Sequence, residues 1–329
     1  MKLAVLYSPP GALLPGDPID KYAEHDGDET IQGVCGALER LGHVVVPVIA
    51  DRRLPWRLDE GGFDAAFNIA EGEGRRCREA VPAAVCELLG LPYTHSDPLT
   101  LAVCLDKDVA RRLVASEVLV ARGGVVRSRD QLAALGLVYP VIVKPNDEGS
   151  SKGIRGTPVA MDEDSAWEKV CWLIETYDCP VLVEEMIPGV EVTIGLRGNG
   201  DAVELLGMAE MVPLQPGPFV YTHELKTDPN FGEFLQIRTP PQLPNAQLQA
   251  FEAAARAAWR LLGCRDVARF DLRLNAEGLP VFMECNPIPG IKPGWSDLVL
   301  MTRDRMTYDE LVGGVLAAAQ RRWEISKSS

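Results

Sequence analysis

No two of the eight cysteines (Cys35, Cys77, Cys86, Cys104, Cys171, Cys179, Cys264, Cys285) form a C-x-x-C pair. That scatter argues against a zinc site or a disulfide framework and fits a reducing cytosol. No apolar run reaches the roughly 18 residues of a membrane span, so no membrane is expected as a partner. Met1-Lys2-Leu3 opens directly into a strand pattern, and the expected location is the cytoplasm. Basic residues are short: 33 Lys and Arg face 47 Asp and Glu, a net charge of −14. Such a surface repels nucleic acid and anionic lipid. Internal repeats and low-complexity stretches are absent too. What is present is a 329-residue chain with 47% apolar residues. At about 150 residues per domain, that length suggests two or three domains.

Strands and helices alternate from the start. Leu3-Ala4-Val5-Leu6-Tyr7 is an apolar run of the kind a covered parallel strand needs. Asp28 is placed to cap a helix running to Leu41, where Gly42 stops it. Strands are predicted at 44–49 and 65–69. Ser96-Asp97-Pro98 reads as a helix start with Pro in the first turn, and marks a boundary. Val141-Ile142-Val143-Lys144 reads as a strand stopped by Pro145, followed by a Gly/Ser-rich loop over 146–153, a helix over 163–177 and a strand over 181–184. Pro188-Gly189 marks a second boundary. Beyond it, strands are predicted at 191–197 and 202–209, then a polar, Pro-rich stretch over 213–244 of the length often used for lids. Leu248, Phe251, Ala255, Ala258 and Leu262 share one helical stripe that ends at Gly263. A hairpin is predicted from 267–274 and 279–285.

That hairpin carries the most chemistry. Arg269 and Asp271 alternate with Phe270 and Leu272, so both polar side chains share a face. Glu284 and Asn286 do the same on the returning strand. Two carboxylates and an amide on neighbouring strands form an oxygen-only ligand set suited to Mg²⁺ with phosphates. Alone, the alternation equally describes an exposed edge hairpin. The loop Asn146-Asp147-Glu148-Gly149-Ser150-Ser151-Lys152-Gly153 offers amides and hydroxyls to an anion, but it is not a Walker A loop. Lys144 ends the strand before it, either to reach water or to contact a phosphate. Glu184, Glu185 and Glu191 flank a turn, where carboxylates suit an adenine amine and a ribose diol or simply face solvent.

In this order and spacing the pieces resemble the D-alanine–D-alanine ligase family of ATP-grasp enzymes over nearly the whole chain. Phe67-Asn68, Leu91-Pro92-Tyr93-Thr94 and Leu105-Asp106-Lys107 look like its N-terminal landmarks. Val143-Lys144-Pro145 with Gly149-Ser150-Ser151-x-Gly153 looks like its strand and phosphate-covering loop. The run from Val183 to Glu191 looks like its adenine and ribose segment, and Tyr221 with Lys226 like its mobile loop. Arg269-x-Asp271 and Glu284-x-Asn286-x-x-Pro289-Gly290 resemble its metal and oxyanion motif. The resemblance implies an α/β ATP-grasp fold in three parts: a Rossmann-like substrate domain over 1–97, a small central subdomain over 98–188, and a C-terminal subdomain over 189–329 holding the metal and catalytic site. It also implies ATP, two Mg²⁺ ions that Mn²⁺ can replace, amino-acid or carboxylate substrates, and a homodimer. Lys107 and Lys144 would hold phosphates, with Ser151 covering them. Glu184, Glu185, Ile187 and Met283 would join the nucleotide site, and Glu191 would meet the ribose. Asp271, Glu284 and Asn286 would hold the metals. Arg269 and the Gly290 amide would stabilise oxyanions, with Ser150 in the catalytic set and Lys226 reaching the γ-phosphate.

The acceptor side departs from the pattern. Where the family has a Gly-Gly loop and a downstream Glu for the first substrate's amine, Ser8-Pro9-Pro10-Gly11 follows the first strand and no such motif appears. Its His-Gly loop is replaced by Ala70-Glu71-Gly72-Glu73-Gly74-Arg75-Arg76. After Gly290, Ile291-Lys292-Pro293-Gly294-Trp295-Ser296 adds a Lys and a Trp. Arg75, Arg76 and Arg78 would suit a substrate with an extra carboxylate, with Glu71 or Glu73 facing an amine; an exposed basic run on a helix start reads equally well. The leading expectation is an amide-forming ligase whose substrates are not two D-alanines. Its alternatives are a D-alanine–D-alanine ligase of peptidoglycan synthesis and a non-catalytic ATP-binding regulator.

Overall fold

A computed structural model describes residues 1–328 apart from positions 75, 157, 216, 218, 219, 221, 223, 224, 226, 227 and 229, with backbone alone at 325–328. Tyr221, Lys226 and Arg75, all singled out above, thus lie outside the described residues. No described helix is long and apolar enough to cross a membrane.

The N-terminal sheet has the order β2-β1-β3, all parallel: β1 (Lys2–Tyr7) lies between β2 (Val44–Ile49) and β3 (Ala65–Asn68). Leu3 to Leu6 are fully buried, as an apolar run without alternation requires. Helices α1 (Asp28–Arg40), α2 (Leu54–Gly61) and α3 (Ala80–Leu88) pack against these strands. Gly27, not Asp28, occupies the N-cap of α1. Asp28 and Glu29 stand instead in its first turn, where the helix dipole favours acids.

The segment expected as the start of the central part divides by packing. Helix α4 (Pro98–Leu105) is capped by Asp97, which accepts from the Thr100 amide, and α5 (Lys107–Val114) follows at once. Cys104, Ala110, Val114 and Val118 join the C-terminal core, and β4 (Leu119–Val120) pairs with the last strand of that sheet. We therefore place the small middle unit from about Ala121. It comprises β5 (Gly123–Val126), α6 (Arg129–Ala134), β6 (Val141–Pro145), β7 (Val159–Ala160), α7 (Glu163–Tyr177) and β8 (Val181–Glu185). Its antiparallel sheet has the order β5-β8-β6-β7.

Helix α7 keeps its predicted span, and a capping box closes its start. The Asp162 side chain accepts from the Ser165 amide at 2.8 Å, and the Ser165 hydroxyl accepts from the Asp162 amide at 3.3 Å. This reciprocal box satisfies donors the helix cannot. Asp162→Ala is expected to cost about 1 kcal/mol in urea unfolding. An unchanged midpoint would show the cap contributes nothing.

The C-terminal sheet has the order β11-β10-β9-β12-β13-β4, built from β9 (Glu191–Gly198), β10 (Glu204–Pro213), β11 (Leu235–Arg238), β12 (Asp266–Leu274) and β13 (Pro280–Asn286). β10 starts later than expected because 199–202 forms a turn, with Ala202 N donating to Asn199 O. The 213–244 stretch is less irregular than its composition implies, since β11 pairs with β10 as an edge strand. Helix α8 (Asn245–Leu262) buries Phe251, Ala255, Ala258 and Leu262 on this sheet, and Leu248 lies half-buried beside them. Large apolar side chains each contribute about 1.5–3 kcal/mol when fully buried. α9 (Asp297–Thr302) and α10 (Tyr308–Ser328) complete the chain.

Candidate active site

Register in the β12–β13 hairpin sets the site. Arg269 pairs with Asn286 and Asp271 with Glu284, so four polar side chains meet as cross-strand neighbours on one face. The register then shifts, Leu272 facing Phe282, and leaves Met283 without a partner in the ladder. That bulge turns Met283 toward the cavity that Glu284 also lines, which simple alternation would forbid.

Ion pairs and hydrogen bonds knit the face together. Arg269 Nη2 donates to Asp271 Oδ2 at 2.8 Å and lies 3.5 Å from Glu284 Oε1, while Nη1 donates to Asp297 Oδ2 at 3.1 Å. Asn286 Nδ2 donates to Glu284 Oε1 at 3.2 Å and Asp271 Oδ2 at 3.4 Å. Thr193 Oγ1 donates to Asp271 Oδ1 at 2.9 Å. Lys107 Nζ stands 3.7 Å from Glu284 Oε2 and donates to the Glu148 carbonyl at 2.5 Å. Burial works against the Glu284 carboxylate, but Lys107, Arg269 and Lys144 together hold its pKa below the usual range. Burial raises the Asp271 pKa to about 7: Arg269 works against it, while Glu284 and Asp297 repel the charge further. Arg269 Nε is buried without a hydrogen-bond partner among the described residues. A donor left so costs energy unless a ligand completes it.

One cavity gathers Lys107, Lys144, Ser151, Glu191, Arg269, Asp271, Met283 and Glu284. Lys144 Nζ meets Glu184 at 2.5 Å, joining the ends of β6 and β8. Asn146 fixes the start of α5: its Nδ2 donates to Asp106 Oδ1 and its Oδ1 accepts from the Asp108 amide. Ser150 and Ser151 take positive φ of 47° and 59° in the loop above, a left-handed stretch uncommon for side chains larger than Gly. Ser150, Asn286 and Gly290 line the adjoining larger cleft of about 830 Å³. Glu185 stands apart, 3.5 Å from Arg122 and accepting from the Val138 amide. It lines a separate opening with Met186, Pro188 and Glu191, and Ile187 is half-buried next to them.

Sequence reading missed three residues of this region. Asp297 braces Arg269 from a helix start, and Thr193 braces Asp271 from the neighbouring strand. The third is Glu24. The first strand is followed by some 20 residues before α1, and near the end of that detour Glu24 reaches the phosphate-type loop, accepting from the Gly149 amide. A Cβ at Gly149 would stand 2.6 Å from Glu24 Oε1, so a larger residue there would displace the Glu24 carboxylate. So a glutamate does arrive at the cleft, displaced along the chain.

Arg78 does not present a free cation for a substrate carboxylate. It is 7% exposed, donates to both Glu24 oxygens at 2.8 Å and to the Asp147 carbonyl at 2.8 Å, and lies 3.2 Å from Glu148. Arg76 is exposed and pairs with Asp106 at 3.0 Å.

A family model described as D-ala D-ala ligase C-terminus matches residues 118–317. A D-alanine–D-alanine ligase of Synechococcus sp. (strain JA-3-3Ab) is 32% identical over 303 residues, covering 89% of this chain and 88% of that protein. One from Geobacter sulfurreducens is 31% identical over 291 residues, covering 87% of each. In overall fold, a D-alanine–D-alanine ligase from Bacillus anthracis complexed with ATP superposes with a TM-score of 0.76 at 20% identity, covering 99% of both chains. The VanG D-Ala:D-Ser ligase from Enterococcus faecalis gives 0.72 at 21% identity, over 97% of this chain and 99% of that one. On this sequence similarity, the chain belongs to the D-alanine–D-alanine ligase family.

Proposed function

We propose that the chain is an ATP-dependent carboxylate–amine ligase, which phosphorylates a carboxylate and passes the acyl group to an amine, releasing ADP and phosphate. The observation that carries this reading is the hairpin register, which sets Arg269 beside Asn286 and Asp271 beside Glu284, with Arg269, Asp271 and Glu284 lining the cavity that Lys107 and Lys144 share.

The roles follow from charge. A carboxylate attacking a triphosphate brings like charges together, so cations must neutralise both. Lys107 and Lys144 face the phosphates, and the Ser150-Ser151 loop covers them with amides and hydroxyls. Glu184 accepts from the adenine amine, Met283 packs on the base, and Glu191 takes the ribose. Asp271, Glu284 and Asn286 form an oxygen-only set that fits Mg²⁺, and the raised Asp271 carboxyl is what such a set shows when a countercharge would settle it. Bound there, two Mg²⁺ ions would supply charge neutralisation on the phosphates. Arg269, through its unpartnered Nε, and the Gly290 amide stabilise the oxyanion as the amine attacks the acyl phosphate. Holding the reactants together contributes roughly 7–11 kcal/mol toward the barrier. By resemblance to the family, Lys226, outside the described residues, is assigned to the γ-phosphate.

A second reading, a D-alanine–D-alanine ligase, draws support from Glu24, which stands at the cleft where a first substrate's ammonium needs an acceptor. Mg²⁺-dependent ADP release over single and paired D- and L-amino acids, with products weighed by mass spectrometry, separates the two. The ligase predicts pair-dependent ADP and a new amide mass. D-alanine sufficing alone would select the second reading. Nucleotide binding without ADP from any pair would overturn both.

A further inference from the structure

The first-substrate end of the large cleft gathers more carboxyl groups than one substrate ammonium can answer. Ser8, at the end of β1, ties two segments there: its Oγ accepts from the Gly72 amide at 2.9 Å and its carbonyl from the Asp26 amide at 3.0 Å. Gly72 sits at φ +74°, where a Cβ would strike the Arg78 carbonyl, so the 71–79 loop curls tightly over the cleft. The curl brings carboxylate oxygens of Glu24, Glu71 and Glu79 within 4.8 Å of one another, and Asp26 lines the same cleft.

The cations nearby are already engaged. Arg78 holds Glu24 and Glu148, and Lys152 takes Glu148 at 2.8 Å. Asp26, Glu71 and Glu79 have no ion-pair partner among the described residues. Glu79 is only 8% exposed and lines the cleft, with no side-chain hydrogen bond among the described residues; Asp26 Oδ2 is buried and has no hydrogen-bond partner among them. Buried carboxylates left this way are costly, and an arriving cation relieves them.

We propose that this subsite takes a carboxylate substrate bearing a second ammonium group, a diamino acid, with Glu71, Glu79 and Asp26 holding the extra nitrogen while Arg78 occupies Glu24. This deepens the proposed ligase function and rests on it for the fate of the carboxylate. Three unpaired carboxylates exceed what one α-ammonium neutralises, whereas a dication leaves a near-balanced site. Burial pushes Glu79 up to about 8, against Arg78, and Asp26 up to about 7, so the empty site holds protons at neutral pH. Binding of an ammonium releases them.

The test is calorimetric binding of 2,3-diaminopropionate, ornithine and lysine, both enantiomers, against alanine, with Mg²⁺ and a non-hydrolysable ATP analogue present. At least one diamino acid is expected to bind about 10- to 100-fold tighter than alanine, the span of one added charge-assisted hydrogen bond. Its enthalpy should vary with buffer as protons leave. Glu71→Gln and Glu79→Gln should each shrink that preference, with nucleotide affinity unchanged as the check on folding. Alanine binding as tightly as every diamino acid, or a preference indifferent to both variants, overturns the proposal. So does a Mn²⁺ ion bound without nucleotide and lost in Glu79→Gln, which would make the cluster a metal site. Diamino-acid binding without ADP formation alongside any amine would uphold the subsite and defeat the ligase instead. ADP formation confined to monoamino acids would do the reverse.

Discussion

Glu284→Ala is expected to lower kcat for ADP formation by about 10³-fold or more, the scale set by losing one preorganised charge partner in a water-poor site. Glu284 stands opposite Asp271 in the ladder, 3.7 Å from Lys107 and 3.5 Å from Arg269. Its removal strips the ligand set of its most acidic member and leaves Lys107 and Arg269 facing each other's charge across the gap. Asn286 also loses its 3.2 Å acceptor and keeps only the longer bond to Asp271 at 3.4 Å. Glu284→Gln separates size from charge: if ligation is the role, the amide restores packing but little activity, and the Mg²⁺ concentration for half-maximal rate rises. Glu204→Ala serves as the matched control, an exposed glutamate paired with Arg197 at 2.7 Å on the far strand. Activity of Glu284→Ala within tenfold of the parent would remove this carboxylate from the chemistry, and the proposed ligand set with it.

Period-2 alternation made that hairpin legible, because Arg269, Asp271 and Asn286 each follow an apolar neighbour, Ala268, Phe270 and Cys285, that is buried in the core. Helix α7 was legible for a local reason as well, its cap and box lying within four residues. What escaped were relations between distant segments. Glu24 is joined to Gly149 and Arg78 across 125 and 54 positions, and nothing in its own neighbourhood marks it as a cleft residue. The basic run at 75–78 misled for the same reason. Composition suggested a free guanidinium at Arg78, but Glu24 and Glu148 claim it, a fact visible only once the loop curls back. The Met283 bulge belongs to this class, since one extra residue in a ladder leaves no trace in a run of apolar letters. Helix α5 and Cys104 of α4, set by their place in sequence with the middle unit, pack in the C-terminal core, where β4 finds β13 far along the chain, while Leu101 of α4 packs in the N-terminal core.

Lys144→Met is expected to cost about 3–5 kcal/mol of stability, the usual result of stripping one partner from a buried ion pair. Lys144 and Glu184 meet at 2.5 Å with side chains 8% and 4% exposed, so solvent screens the survivor little. The strand ends that carry them are fully paired, Val143 with Val183 and Lys144 with Leu182, so the backbone gives Glu184 no easy retreat. The same change should abolish tight nucleotide binding, and the two losses have different causes. Lys144→Met with Glu184→Leu distinguishes them: two apolar side chains of similar volume should recover most of the stability, since a buried pair replaced as a whole is often neutral. Nucleotide affinity should stay lost in the double variant, because neither the phosphate cation nor the adenine acceptor returns. Urea unfolding and a fluorescent-nucleotide titration on both proteins supply the two readouts. Affinity returning together with stability would mean that Lys144 shapes the cavity through its pairing alone and never touches the phosphates.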